Sequence, residues 1–226
     1  MHIHVGMMEN VVRKALRVVI YLIYYNICLL LVASPVYLNF LTLIIVALDQ
    51  FVFAADTLIK PVTPREKADF TTKIIGLLFI LHPFLLALLF YDNLFLTSIY
   101  LMILDAPLIS YIGIAIYISG ALITLTSRIQ LGRYGDGTIA IKDEHELLTN
   151  GVYQHVRNPL YFGALLGRLG LALAFRGYII GFLMILGFLL VFSKRIEIEE
   201  KELEDEFGES FKSYKKRTKR LIPYLW

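Results

Sequence analysis

Six apolar stretches, each about the length of a membrane-spanning helix, dominate this chain. A helix needs roughly 17–25 mostly apolar residues to cross the hydrocarbon core of a bilayer. Hydrophobic residues make up 58% of the sequence, against about 45–50% in soluble domains. The sequence therefore predicts an all-α, multi-pass integral membrane protein with about six transmembrane helices, over Val18–Ala33, Val36–Ile59, Ile74–Phe90, Leu108–Leu131, Pro159–Phe175 and Tyr178–Ser193.

A seventh apolar segment, Leu94–Leu104, is too short to span a bilayer by itself. We expect it either to extend the third span or to lie at the membrane interface. The single cysteine, Cys28, excludes an internal disulfide, and no cluster of metal ligands is predicted. A net charge of +3 gives no argument for a nucleic acid partner.

Lysines and arginines are unevenly distributed around the predicted spans. With six spans, 20 of the 22 fall on one side of the membrane, Arg176 falls on the other, and Arg168 lies inside the fifth span. Loops rich in Lys and Arg stay on the cytoplasmic side. We therefore expect both termini, and the polar segments after the fourth and sixth spans, to be cytoplasmic.

The segment GVYQHVRNPLYFG, Gly151–Gly163, places polar side chains directly before an apolar run. Pro159 suits the first position of a helix, and Asn158 suits the N-cap before it. Capping alone is therefore one interpretation of Asn158. Small residues follow on this helix and predict close packing, which we expect to be against the sixth span: Gly163, Gly167 and Gly170.

The segment after the sixth span predicts a helix that leaves the membrane. Residues four apart share one face of it: Arg195, Glu199, Leu203, Phe207 and Phe211. The Leu and Phe side chains imply that this stripe is buried, together with its two charges. These charges form either a plain ion pair or a ligand site. We expect the other acidic residues to be mostly solvated: Glu197, Glu200, Glu202, Glu204, Asp205 and Glu206.

Arg168 is a functional candidate, because an arginine inside a span is costly. It lies seven residues after Tyr161 and on the same helical face. It either binds an acidic group of a substrate or pairs with Asp49 or a backbone carbonyl. The His82-Pro83 pair in the third span is interpreted as a kink with a satisfied histidine.

Two ordered motifs resemble the isoprenylcysteine carboxyl methyltransferase family. HELLTNGVYQHVRNPLYFG is similar to its H-x-L-V-x-x-G-x-Y-x-x-x-R-H-P-x-Y-x-G block, and RIEIEEKELEDEFGESFKSYKKR to its R-x-x-x-E-E-x-x-L-x-x-x-F-G-x-x-Y-x-x-Y-x-x-R block. The resemblance covers about Gly132 to Pro223, while the first four spans match only in being membrane helices. It implies an N-terminal four-helix membrane region, 1–131, integrated into one domain with a catalytic region, 132–226.

The resemblance implies S-adenosylmethionine (SAM) as methyl donor and a lipophilic acceptor that enters from the bilayer, such as a prenylated cysteine carboxylate. Glu199 would hold the amino group of the donor, and Arg195 would face the carboxylate of the acceptor. The family's usual His-Pro pair is Asn-Pro here, which argues against a charged imidazole in the mechanism. The other residues implied for the donor are His145, Glu146, Leu147, Leu148, Tyr153, Asn158, Pro159, Leu160 and Tyr161. Arg168 has no counterpart in the family pattern and is assigned to an additional acidic group of the acceptor.

Other functions stay open on the sequence alone. Membrane sterol reductases resemble the same region, including the ending RLIPYLW, but an NADPH-dependent reductase should lack the Glu199-Glu200 pair. A non-enzymatic membrane scaffold would bind neither cofactor. A phospholipid amine or a small thiol could also be the acceptor. The basic, aromatic segment Phe211–Trp226 suits contact with anionic membrane lipids.

Overall fold

The computed structural model describes residues 2–32, 40–60, 70–97, 107–132 and 147–223. A π-helical turn, Asp92–Thr97, continues the third helix, and a 3₁₀ turn, Gly151–Gln154, precedes the fifth. The all-α prediction is confirmed. The helices are α1 (His2–Val32), α2 (Phe40–Ile59), α3 (Phe70–Tyr91), α4 (Pro107–Leu131), α5 (Pro159–Phe175) and α6 (Tyr178–Arg217).

Five of these helices, α1 to α4 and α6, are long and apolar enough to cross a bilayer, and α5 is a shorter apolar helix of 17 residues. A tight turn joins α5 to α6, with Arg176 in the left-handed region at φ 56°. The predicted spans thus correspond to five helices of full length and one shorter helix in a hairpin. Of the segment Leu94–Leu104, the described part extends α3 through the π-helical turn.

α6 continues far beyond its apolar half, as the sequence predicts. From Tyr178 to Phe207 it extends about 45 Å at 1.5 Å per residue, roughly one and a half times the thickness of a hydrocarbon core. Gly208 interrupts it with φ 48° and ψ −120°, so the last turns form a separate short helix. We call the end of the bundle at which α4 finishes, α5 begins and α6 emerges the polar end.

Glycines bring the backbones of α4 and α5 into direct contact. A Cβ atom added to Gly120 would lie 2.6 Å from both the Gly163 carbonyl oxygen and the Gly167 nitrogen. One added to Gly170 would lie 2.4 Å from the nitrogen of Tyr117. The expectation that this small-residue face packs on the sixth span is therefore wrong. Because α4 carries its own glycines at the matching positions, it is the helix that can approach α5 most closely.

A buried polar cluster joins the first four helices. The Asp49 carboxylate on α2 accepts hydrogen bonds from Tyr25 of α1 at 3.0 Å and Tyr117 of α4 at 2.9 Å. Nε2 of His82 on α3 lies 2.8 Å from the same carboxylate. The histidine is therefore satisfied at this nitrogen, whereas its Nδ1 has no partner among the described residues. The cluster fixes four helices at one point, since each contact is between buried groups.

We predict that Gly120→Ala destabilises the protein by about 1–3 kcal/mol, because the added methyl must push apart two backbones. Gly187→Ala on α6 is the matched control, since nothing lies within 4 Å of its added Cβ. The measurement is the thermal unfolding midpoint of each purified variant in detergent. Equal midpoints for the two variants would contradict the close contact of α4 and α5.

Candidate active site

No side chain caps the N-terminus of α5, and the residue before it, Asn158, contacts other parts of the chain instead. Pro159 is the first helical residue, and the first helical bond runs from the Phe162 nitrogen to the Asn158 carbonyl at 3.1 Å. The side chain of Asn158 makes no capping bond. It donates instead to Glu200 Oε1 at 3.1 Å and to the Arg220 carbonyl at 2.8 Å. The N-cap interpretation of this side chain is therefore wrong, because two better acceptors lie within its reach.

Glu200 is the centre of a buried ionic cluster. Its Oε1 lies 2.9 Å from Nε of Arg157, and its Oε2 lies 3.5 Å from Nε of Arg220. Arg157 also donates to the carbonyls of Lys215 and Thr218. The expectation that Glu200 is solvated is wrong: it is 7% exposed, because two arginines and Asn158 surround it. This cluster fastens the C-terminal segment to the start of α5.

Glu199, one residue earlier, belongs to a second cluster with Arg195 and Tyr161. Nε of Arg195 donates to Glu199 Oε1 at 2.8 Å and to the Tyr161 hydroxyl at 3.2 Å. The tyrosine hydroxyl donates to the same carboxylate oxygen at 2.7 Å. The Arg195 and Glu199 side chains are 2% and 24% exposed. The predicted stripe on α6 is therefore buried at its charged end, and the ion pair between these two residues forms.

Two threonines of α3 complete the environment of Arg195. Its Nη1 donates to Thr71 Oγ1 at 3.4 Å and also to Thr72 Oγ1. No sequence pattern indicated these residues, because they lie 124 and 123 positions away along the chain. Arg157 and Glu200 were also missed as site residues, although both stand inside the motifs, since the motifs do not say which charges pair.

A column of aromatic rings leads from this cluster into the apolar part of the hairpin. The Tyr161 ring packs 4.9 Å from that of Phe192, which packs 5.4 Å from that of Phe188. The guanidinium carbon of Arg168 lies 4.7 Å from the centroid of the Phe188 ring. Among the described residues Arg168 has no hydrogen-bonded or ion-pair partner, and its Nε is buried. Among the described residues Arg168 makes no direct hydrogen bond or ion pair with Asp49 or a backbone carbonyl, but it is near enough to Asp49 for its charge to act on that carboxylate.

The remaining predicted donor residues lie around the 3₁₀ turn or outside the described part of the chain. Burial raises the pKa of Tyr153 well above its ordinary value, and its hydroxyl donates to the Ser127 carbonyl at 3.4 Å. Its own carbonyl accepts a 2.6 Å bond from Tyr214. Leu147, Leu148 and Leu160 are half-buried. His145 and Glu146 lie outside the described residues.

An open cleft lies on the opposite side of α6. Charges of both signs line it, including Arg157, Glu200, Lys201 and Lys215. Glu200 lines this cleft and also contacts Asn158 at the start of α5, whereas Glu199 and Arg195 do not line the cleft. The two neighbouring glutamates therefore face different surroundings.

We predict that Glu200→Gln costs about 3 kcal/mol of stability, because it leaves the largely buried Arg157 and the half-buried Arg220 without their carboxylate. Limited proteolysis should then cleave within 208–223 faster than in the unsubstituted protein. Glu204→Gln is the control, since its bond to Lys215 is more exposed, and we expect little change. If both variants lose the same stability, Glu200 is not an anchor of the C-terminal segment.

The relatives that sequence comparison identifies are described as methyltransferases. A family model described as "Phospholipid methyltransferase" matches residues 108–210. A probable protein-S-isoprenylcysteine O-methyltransferase of Oryza sativa subsp. indica is 30% identical over 119 residues, which cover 52% of this chain and 62% of that protein. The protein-S-isoprenylcysteine O-methyltransferase of Dictyostelium discoideum is 40% identical over 86 residues, 36% of this chain and 35% of that protein. The matched region thus spans less than two thirds of either relative.

The fold has a counterpart of nearly the same extent. A structure of the eukaryotic intramembrane Ras methyltransferase ICMT superposes with a TM-score of 0.54 at 20% sequence identity, covering 96% of each chain. Its likeness extends to α1–α3, which the family model does not match. The chain is thus similar in sequence, over its second half, to proteins described as methyltransferases, and similar in fold to a structure of the intramembrane methyltransferase ICMT.

Proposed function

We propose that this protein is a SAM-dependent methyltransferase that methylates the carboxylate of a lipophilic acceptor, such as a prenylated cysteine. The observation that carries the proposal is the buried cluster of Arg195, Glu199 and Tyr161 at the polar end of the hairpin. This cluster stands where the two motifs meet in space. The named activity of the relatives supports the same chemistry.

Several residues fit the methyl donor. When bound, SAM supplies an electrophilic methyl group on a sulfonium, together with an ammonium and a carboxylate. Glu199 suits the ammonium, because its carboxylate side chain keeps 24% of its surface exposed. The backbone N–H groups of Leu160 and Tyr161 precede the first helical hydrogen bond and suit a carboxylate, since no side chain caps this helix.

Alignment of the acceptor is the main contribution we assign to the protein. A carboxylate is already a nucleophile, so in-line methyl transfer needs no strong base. Holding two reactants in line can lower a barrier by about 7–11 kcal/mol. Arg195 would orient the acceptor carboxylate by a charge-assisted contact. Asn158 cannot become a cation, and it is bound to Glu200 in a neighbouring cluster, so no proton transfer is assigned to it.

The acceptor would enter from the bilayer along the hairpin. The aromatic column of Tyr161, Phe192 and Phe188 gives this part of the hairpin an apolar lining. Arg168 at the end of the column would contact an additional acidic group of the acceptor, since its buried Nε has no partner among the described residues. The remaining residues implied for the donor, Leu147, Leu148, Tyr153 and Pro159, keep that role as part of the proposal, as do His145 and Glu146.

We also propose that the polar end and both termini are cytoplasmic. The excess of Lys and Arg on this side supports that orientation. The basic tail would then contact the anionic lipids of the cytoplasmic leaflet. SAM would reach the site directly from the cytosol.

S-adenosylhomocysteine should raise the thermal unfolding midpoint of the purified protein in detergent, because it binds only the folded state. At 100 times its Kd the gain is about 2.7 kcal/mol. Glu199→Gln should abolish the shift, whereas Glu206→Gln, an exposed glutamate on the same helix, should preserve it. NADPH should give no shift. A shift with NADPH alone would instead favour a lipid double-bond reductase.

Turnover should depend on Arg195 and the acceptor carboxylate. With labelled SAM, N-acetyl-S-farnesylcysteine should be methylated and its amide should not. We expect Arg195→Lys to lower kcat by about 10²-fold through misalignment while leaving the S-adenosylhomocysteine shift intact. An Arg195→Lys variant that loses only donor binding would reverse the assigned roles.

For an acceptor with a second acidic group, Arg168→Gln should raise KM about tenfold, since a charge-assisted bond is lost.

A further inference from the structure

Two hydroxyl groups from a distant helix fix one edge of the Arg195 guanidinium. Thr71 and Thr72 lie in the first turn of α3, which begins at Phe70. Nη1 of Arg195 donates to both hydroxyls, at 3.4 Å for Thr71. Thr71 is 6% exposed and Arg195 is 1% exposed, so the contact with Thr71 is shielded from water, while the contact with Thr72 is partly buried. Since Nη1 carries two N–H groups, the two threonines account for both.

The opposite edge of the guanidinium is fixed from the hairpin. Nε donates to Glu199 Oε1 at 2.8 Å and to the Tyr161 hydroxyl at 3.2 Å. The guanidinium is rigid and planar, so contacts at both Nε and Nη1 define its orientation, not merely its location. Contacts at Nε alone would leave the side chain free to pivot about the glutamate. Three helices, α3, α5 and α6, therefore determine the direction in which this charge points.

We propose that Thr71 and Thr72 are positioning residues for methyl transfer, which hold Arg195 in the orientation that binds the acceptor carboxylate. This inference rests on the proposed function. It makes the first turn of α3 part of the active site, although α3 precedes the residues that the family model matches. Functional side chains need support to within about 0.5 Å and 10–20°. The two threonines provide that support from the helix that faces the hairpin.

The two threonines could instead serve only to pack α3 on the hairpin. Below them on α3, Ile75 and Leu78 already pack against Phe188, Phe192 and Ile196. In that case the loss of the hydroxyls would lower stability but would not change the kinetics of the folded enzyme. Valine and serine separate the two roles, because valine keeps the shape of threonine without its hydroxyl, whereas serine keeps the hydroxyl.

The experiment compares the Thr71→Val/Thr72→Val double variant with the Thr71→Ser/Thr72→Ser double variant, using labelled SAM and N-acetyl-S-farnesylcysteine. We expect the valine variant to lose at least about tenfold in kcat/KM for the acceptor, because Arg195 is misaligned. The serine variant should recover most of this loss. The thermal shift with S-adenosylhomocysteine should equal that of the unsubstituted protein in both variants. Thr124→Val is the control, since its hydroxyl donates to a carbonyl of its own helix, that of Gly120, at 2.9 Å.

Unchanged kinetics in the valine variant would overturn the inference, as would a serine variant as impaired as the valine one. Loss of the donor shift together with activity would overturn it too, since it would reveal a general structural defect. If the double valine variant does not fold, Thr72→Val and Thr72→Ser provide the same comparison at one position. An unsubstituted protein that methylates nothing would overturn the proposed function and this inference together, whereas an active one with an unaffected valine variant overturns this inference alone.

Discussion

The buried charge of Arg195 is the constraint around which the polar end is organised. Removing a guanidinium from water costs several kcal/mol unless it is paired and hydrogen-bonded. Its side chain is 2% exposed, yet it has a carboxylate, a phenol and two threonine hydroxyls as acceptors. These acceptors come from α3, α5 and α6, so one charge determines how three helices meet. A site built this way has its orientation set before any ligand arrives.

The contact between α4 and α5 explains how the hairpin presents Tyr161 and Arg168. Gly163, Gly167 and Gly170 recur every three or four residues and lie against α4. Tyr161 and Arg168 are seven residues apart and, by helical spacing, lie on the opposite face. Because the backbones of α4 and α5 touch at these glycines, α5 cannot turn about its own axis without a clash, and its orientation is fixed. That orientation directs Tyr161 toward Glu199 and Arg168 toward Phe188.

The sequence was informative wherever the signal is local. Apolar length predicted the helices, and the spacing of four on α6 predicted that Arg195 and Glu199 share a buried face. It failed where the answer depends on a distant partner. The glycine face of α5 was assigned to the wrong neighbour, because small residues permit close approach without naming the helix that makes it. Thr71 and Thr72 gave no signal, since nothing at the start of α3 distinguishes a threonine that meets a distant arginine from one that meets lipid.

The adjacent glutamates show why a motif alone does not indicate which role each of its residues has. Successive residues on a helix point about 100° apart, so Glu199 and Glu200 cannot serve one ligand from the same direction. Glu200 is surrounded by Arg157, Arg220 and Asn158, which makes it an anchor for the C-terminal segment. Glu199 shares its carboxylate with Arg195 and Tyr161 and keeps a quarter of its surface open. Asn158 contacts Glu200 and not Glu199, so this position belongs to the cluster of Glu200.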